Sequence, residues 1–476
     1  MCVDNRDFYL EGGALNLNNL LHRTAVAEGR NYMKLKRWSQ GILVVTASVG
    51  IGAGLISCGQ SNTVDYLYAT SAKNDPGQIN IYRVDSQSGA LTQIPDSPFP
   101  TQQRNPVSLA ADGQGQNLYV AFEDDNAIVQ YGIGTDAKLY AQNTINPSGT
   151  NPVSVTVQTY EDSSGKVLGS FLFVVEQYQP NYTSLNPGPG ALYVYNLGTT
   201  GTLNNAALVP QTVNGVTQNF YPLGDNPTAI NVTGNGRLGV VTEGNEVHLY
   251  VTDTLTQNGT GPGGCTAGTG GVEGFNLPLG SNGIPTGVVS PVDGTPFCAG
   301  TTPSALASDP LGRFLYVTDS TQNLVYQYNI GSSAGTTQFG SLTPLPTAAV
   351  QAGTSPQGIT VDPRGEYVYV ANYIGDTVSG YQINANTGAL SALGTGGSVG
   401  TEPRPSCIIV EPALARFVYT ADYDGNAVNG FVLDPDTGAL SAVQGQYYQT
   451  SGLTKCVAAV SHGNHPIIQA YATAGS

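Results

Sequence analysis

One phrase returns along this chain and limits what it can fold into. Residues 358–372 read GITVDPRGEYVYVAN, and the phrase recurs as ALASDPLGRFLYVTD from Ala305 and CIIVEPALARFVYTAD from Cys407. Each copy is an apolar stretch, a tight turn, and an apolar run built around Tyr-Val. Such a unit cannot bury its own apolar faces, and repetition at a period of about 40 to 50 residues builds a core only when units stack side by side. The 61 Gly, 29 Pro and 27 Tyr, against one Trp and two Met, fit short strands and special turns rather than helices.

The proline that begins each inner strand serves as a ruler: Pro106, Pro152, Pro227, Pro303, Pro356 and Pro405, with Thr454 in the next equivalent place. The intervals are 46, 75, 76, 53, 49 and 49, so two units are enlarged. In the unit that starts at Pro356, strands are expected over 357–361, 367–371, 377–383 and 390–393. Asp362-Pro363-Arg364-Gly365 and Asp309-Pro310-Leu311-Gly312 carry a type I turn signature. NTGAL at Asn386, DTGAL at Asp436 and SGAL at Ser88 supply the glycine that a hairpin needs at positive φ. Residues 64–94 offer three strands without an inner one, and 456–460 offer an inner strand without a complete unit. Joining them closes a ring and leaves no open edge. The expected fold is all-β: a seven-bladed β-propeller of four-stranded antiparallel blades over 64–473, closed by pairing of the C-terminal inner strand with the N-terminal blade. The run 467–473 has no place in that scheme, and an eighth, incomplete blade is the alternative.

Residues 33–57 combine a basic start (Lys34, Lys36, Arg37) with an apolar, small-residue run, the pattern of a secretory signal. Leu55-Ile56-Ser57-Cys58 resembles a bacterial lipobox, which implies cleavage before Cys58, lipidation of that residue, a short tether over 58–63, and a lipid-anchored protein of the cell envelope on the outer-membrane or periplasmic side. An uncleaved membrane helix is the alternative. Residues 1–32 are then an early start or a disordered extension. Among the four later cysteines, the expected pairs are Cys265 with Cys298, in two long Gly/Pro-rich loops, and Cys407 with Cys456, one repeat apart. The formal net charge is −16, and residues 1–57 carry six Lys or Arg against four Asp or Glu, leaving −18 for the remainder. That charge argues against nucleic acid as a partner and leaves the lipid anchor as the only membrane contact.

The run PQGITVDPRGEYVYVANYIGDTVSGYQINANTGAL and its near copy over 405–440 resemble the seven-bladed lactonase propellers, which include a bacterial 6-phosphogluconolactonase and the fungal 3-carboxymuconate lactonizing enzyme. The resemblance implies hydrolysis of a small lactone at the mouth of the central channel. It also implies histidine and arginine in that channel, and no histidine here matches the expected place: His248 falls inside a second strand, His462 and His465 follow the closing strand, and His22 precedes the leader.

Antiparallel connectivity sends the links from second to third strand, and from outer strand to the next inner strand, to one face. One residue per blade ends the second strand there: Ser71, Phe122, Glu176, Asp253, Asp319, Asn372 and Asp422. In the catalytic reading, Glu176 or Asp319 is the base that activates water and Arg104 or Arg404 clamps an anion. Asp253, Asn372, Asp422 and Lys455 are then ligand-binding candidates, and Tyr178 and Tyr182 of the loop 177–190 can stack on a sugar or aromatic ligand. The alternative is that acids at strand ends simply hold the next turn. No cofactor is expected, although the acids leave a divalent cation open. The competing function is a non-catalytic envelope scaffold that holds a glycan, peptide or protein. No GxSxG, HExxH or GxxxxGK[ST] is present.

Overall fold

The computed structural model describes residues 62–162, 164–234, 247–255, 269–281, 283–332, 339–394 and 397–461. Residues 1–61, with the leader and Cys58, lie outside the described residues, as do Cys265, His462, His465 and the run 467–473.

The second strand of each repeat is a nearly unbroken apolar run because both of its sides are covered. In Tyr367–Asn372, Tyr367, Tyr369 and Ala371 join one buried cluster with Val418 and Phe431, while Val368 and Val370 join another with Phe314 and Tyr316. Period-two alternation thus sends successive side chains to opposite neighbours, and neither side meets water. Seven such clusters fill the seven interfaces between adjacent blades. The core is therefore a set of radial wedges.

The regular blades are antiparallel sheets of four strands: Pro106–Ala111 to Leu139–Ile145 form blade 2, Pro303–Ser308 to Leu342–Gln351 blade 5, and Pro405–Val410 to Leu440–Gln449 blade 7. Blade 6, from Pro356–Val361, splits its outer strand into Leu390–Ala392 and Ser398–Gly400. The register slips just past the leading proline in blades 2, 4, 5, 6 and 7, as at Pro356/Gly358. Proline has no N–H to give the ladder, so it fits a bulge where pairing is interrupted. Asn105, Asn151, Asn226, Ser355 and Arg404, each just before such a proline, take positive φ to turn the chain into the inner strand.

Closure follows the expected pairing. Thr63–Ser71 runs antiparallel to Val457–Ser461, with Tyr66 opposite Val460 and Tyr68 opposite Ala458. Each inner strand contacts the next around a complete ring of seven, including the seam. A second ring lies further out. The second-strand tyrosine of one blade donates its hydroxyl to a turn carbonyl of the next: Tyr316 to Gly388 at 2.8 Å, Tyr369 to Gly438 at 2.7 Å, and Tyr419 to Gly89 across the seam at 2.7 Å. Tyr68, Tyr119 and Tyr250 do the same to Ala137, Gly201 and Gly340. Blade 3 has Phe173 at this place and no such latch.

Blades 3 and 4 share one continuous sheet because Tyr221–Val232 serves both. Its first residues pair with Pro189–Gly198 as the outer strand of blade 3, and its remainder is the inner strand of blade 4. A hairpin of Gln211–Val213 and Val216–Gln218 is inserted in that outer strand, turning at Asn214-Gly215, both at positive φ. Asn-Gly is the strongest short hairpin signal, and it accounts for part of the enlargement of blade 3.

Candidate functional site

The seven residues expected to end the second strands are all fully buried; five do end them, but in the enlarged blades the strands run two residues further, past Glu176 to Tyr178 and past Asp253 to Leu255. Their roles differ. Asp319 accepts four backbone N–H groups: Thr302 at 2.9 Å and Thr301 on one oxygen, Thr321 at 2.9 Å and Gln322 at 2.7 Å on the other. Asn372 accepts from Gly353 N–H at 3.0 Å and donates to Thr377 and Ser379. These two side chains tie the outer-to-inner link to the second-to-third link. Asp422 accepts from the Thr420 hydroxyl at 2.8 Å on one oxygen and has no partner on the other, and burial pushes its carboxyl well up.

Glu176 and Asp253 sit in the enlarged blades and lack that support. Neither oxygen of Glu176 has a well-formed hydrogen bond. Its carboxyl lies hard against Gly149, where a Cβ would collide with it. Burial raises its pKa to about 8, opposed only by the Gly149 amide, so the group is a neutral acid at pH 7. Asp253 has no donor facing it as an anion, but as a neutral acid it can donate to Glu273, which accepts Gly224 N–H at 2.5 Å. Burial raises both carboxyls, and the pair holds a proton between them. Among the described residues, no group of three or more His, Cys, Asp or Glu side chains is arranged to hold a metal ion.

The cations stand nearer solvent. Arg104 is spent on Asp125, with Nε at 2.8 Å and the Arg104 backbone N–H at 2.6 Å from the same carboxylate. Arg404 pairs with Asp424 at 3.0 Å and lies over the Tyr373 ring. Lys455, just before the closing strand of blade 1, reaches Glu123 of blade 2 at 3.3 Å, and its ammonium lies over the Tyr423 ring of blade 7. Asn105 donates to the same Glu123 oxygen at 3.1 Å. Lys455 and Glu123 have 32% and 29% of their side chains exposed, so this pair, unlike the second-strand ends, meets water. Glu123 lies one residue beyond the strand-end position that sequence reasoning singled out. The signal was positional: the residue just past the second strand is the one that clears the sheet.

Of the two loop tyrosines, Tyr178 is buried, while Tyr182 is half-buried with its ring packed on Gly188. His248 is buried, pairs with Asn276 through Nδ1 at 2.7 Å, and is held neutral by burial with a pKa of about 4. Cys407 and Cys456 form the expected disulfide, with Cα atoms 5.0 Å apart, beside the seam. Cys298 is also disulfide-bonded. No helix among the described residues is long and apolar enough to cross a membrane.

Comparison with known proteins bears on the same architecture. Residues 285–410 match the family described as "Lactonase, 7-bladed beta-propeller". Among solved structures, a putative 6-phosphogluconolactonase from Bacteroides fragilis is 18% identical with a TM-score of 0.57, covering 84% of this chain and 99% of that one. A putative 6-phosphogluconolactonase from Bacteroides uniformis is 17% identical with a TM-score of 0.59, covering 84% and 100%. A periplasmic gluconolactonase from Pseudomonas aeruginosa is 16% identical with a TM-score of 0.56, covering 84% and 99%. At these identities the likeness establishes the propeller fold. No functionally curated protein matches the sequence.

Proposed function

We propose that this propeller hydrolyses a small sugar-type lactone at the mouth where blades 7, 1 and 2 meet. The observation that carries the reading is the solvent-reaching Lys455–Glu123 pair, 3.3 Å apart, with Asn105 on the same carboxylate. Ring opening needs a base to take a proton from water and a cation to receive the charge that develops on the carbonyl oxygen. Glu123 supplies the base and Lys455 the cation. Water adds to the carbonyl carbon, the ring C–O bond breaks, and the proton passes to the leaving alkoxide to give the hydroxy acid. Arg404, half exposed over the Tyr373 ring and paired with Asp424, is the cation for an anionic substituent. Asp319 has no lone pair turned to a substrate, and Glu176 sits one blade away as a sealed neutral acid.

The test is turnover of glucono-1,5-lactone and its 6-phosphate. Glu123→Gln and Lys455→Met should each lower kcat/KM by about 100-fold for both substrates. Full activity in both variants would reject the assignment. A second reading, a non-catalytic scaffold, draws on the complete burial of the seven strand-end residues and on Leu185, 96% exposed at the tip of the blade 3 loop. No turnover of either lactone by the unaltered protein would favour it. In either case the leader pattern and the Cys407–Cys456 disulfide support export to an oxidising compartment with anchoring through Cys58. A mature amino terminus other than acylated Cys58 in the intact mass would refute the anchor.

A further inference from the structure

On the opposite face, at the outer rim, blades 2 and 3 leave an open cleft of about 530 Å3. Its lining carries no charged side chain, in a protein whose net charge is −16. The floor is rigid. Gln130, 1% exposed, donates to Asn117 Oδ1 at 2.8 Å and to the Gly201 carbonyl at 2.9 Å, and accepts from Asn143 at 3.0 Å and from Leu203 N–H at 2.9 Å. Asn117 in turn donates to Asp112 at 2.7 Å. Every hydrogen-bonding position of the Gln130 amide is filled, so the floor is set before any ligand arrives.

Gly132 in the third strand, Ala127–Ile133, and Gly134 just past its end shape what lies above it. A Cβ at Gly132 would collide with the Gln142 amide, and one at Gly134 would lie 2.7 Å from Asp136 Oδ1 and 2.9 Å from the Tyr140 ring. Bare backbone at these places lets Gln142 and Tyr140 from the outer strand lie down across the sheet. Tyr140 is 56% exposed, an aromatic surface presented rather than buried. Exposed Gln116 and the hydroxyls of Thr200 and Thr202 complete the wall.

We propose that this cleft binds a neutral carbohydrate. Amides and hydroxyls without charge suit a ligand that both donates and accepts, and an exposed tyrosine ring suits the C–H face of a pyranose. The walls are too polar for an apolar ligand, and an anionic glycan would meet the acidic surface of the chain. The site is separate from the channel mouth, so it serves to hold a glycan next to the protein rather than to position a reacting lactone.

The test is NMR titration of the folded chain with maltose, cellobiose and N,N'-diacetylchitobiose. At least one disaccharide should bind in the millimolar range, Tyr140→Ala should weaken it by about tenfold and Gln142→Ala by about fivefold, and Glu123→Gln should leave it unchanged. Both substituted side chains are exposed, so loss of fold does not enter. Failure of all three sugars to bind, or binding that survives Tyr140→Ala, overturns the proposal, whatever the outcome for lactone turnover.

Discussion

Blades 5 to 7 and blades 3 and 4 answer the same structural demands in different ways. In the regular arc the residue ending the second strand is a short acid or amide, and in blades 5 and 6 it satisfies the links around it: Asp319 takes four backbone N–H groups and Asn372 joins Gly353 to Thr377 and Ser379, while Asp422 of blade 7 accepts only from the Thr420 hydroxyl. In the enlarged arc the same position holds Glu176 and Asp253, buried with no well-formed hydrogen bond to any of their carboxylate oxygens. Tyr316, Tyr369 and Tyr419 latch each blade to the next, whereas Phe173 has no hydroxyl to offer. Repetition fills a position with a residue that serves the repeat. Where insertions lengthen a blade, the same position carries a side chain that the repeat does not satisfy.

The comparison breaks most sharply at the seam. Cys407→Ser removes a link spanning 49 residues beside the strand pairing that closes the ring. On the chain-entropy argument it should lower unfolding stability by about 4 kcal/mol, read by denaturant melts. A loss under about 1 kcal/mol would mean that the seam is held by pairing and packing alone.

The strand-end residues provide the next contrast. Asp319→Asn puts an NH2 group where backbone N–H groups donate, and should cost about 3 kcal/mol at neutral pH. Glu176→Gln should act instead through pH. Because the folded pKa of Glu176, about 8, is above its ordinary 4.5, the native state keeps a proton that the unfolded chain releases. Its contribution to stability is therefore present below pH 4.5 and lost as pH rises toward 8, at up to about 1.4 kcal/mol per pH unit. Melts from pH 5 to 8 should fall less steeply in the glutamine variant. Equal slopes would show that Glu176 is ionised and solvated, and the difference between the two arcs would lose its basis.

The smallest effect concerns the latch. Tyr369→Phe removes the 2.7 Å bond to the Gly438 carbonyl and should cost about 1 to 2 kcal/mol. Phe173→Tyr in blade 3 should recover nothing comparable, since blade 4 carries the longer segment 277–289 in place of the repeat's TGAL turn. A gain there equal to the loss at Tyr369 would show that the two arcs are built alike.

Much of this was legible in the chain. The proline ruler located the inner strands, and the sites it marked carry the register bulges, because a residue without an N–H is tolerated where the ladder is interrupted. The Asp-Pro-x-Gly turn forms as expected, with Gly365 N–H on the Asp362 carbonyl and Gly365 at positive φ. The blade 3 insertion was not placed, although Asn214-Gly215 announced its hairpin, since the repeat offers no template for residues it lacks. The partners of the buried acids were also hidden. Glu273 is in the third strand, 20 residues from Asp253, and Glu123 meets Lys455 only after 332 residues of chain have gone round the ring.

The amino-acid sequence by itself determined the repeat, its turns, the two-sided burial of the second strands and the pairing that closes the ring. These are local in origin: they depend on missing N–H groups, positive-φ glycines and period-two alternation, which a short segment carries wherever it is found. Which carboxylates are satisfied and which are left neutral in the interior, and which cation finds an anion at the mouth, were decided by tertiary structure alone. Charge and desolvation depend on what stands within a few ångströms, and in a ring those neighbours come from other blades.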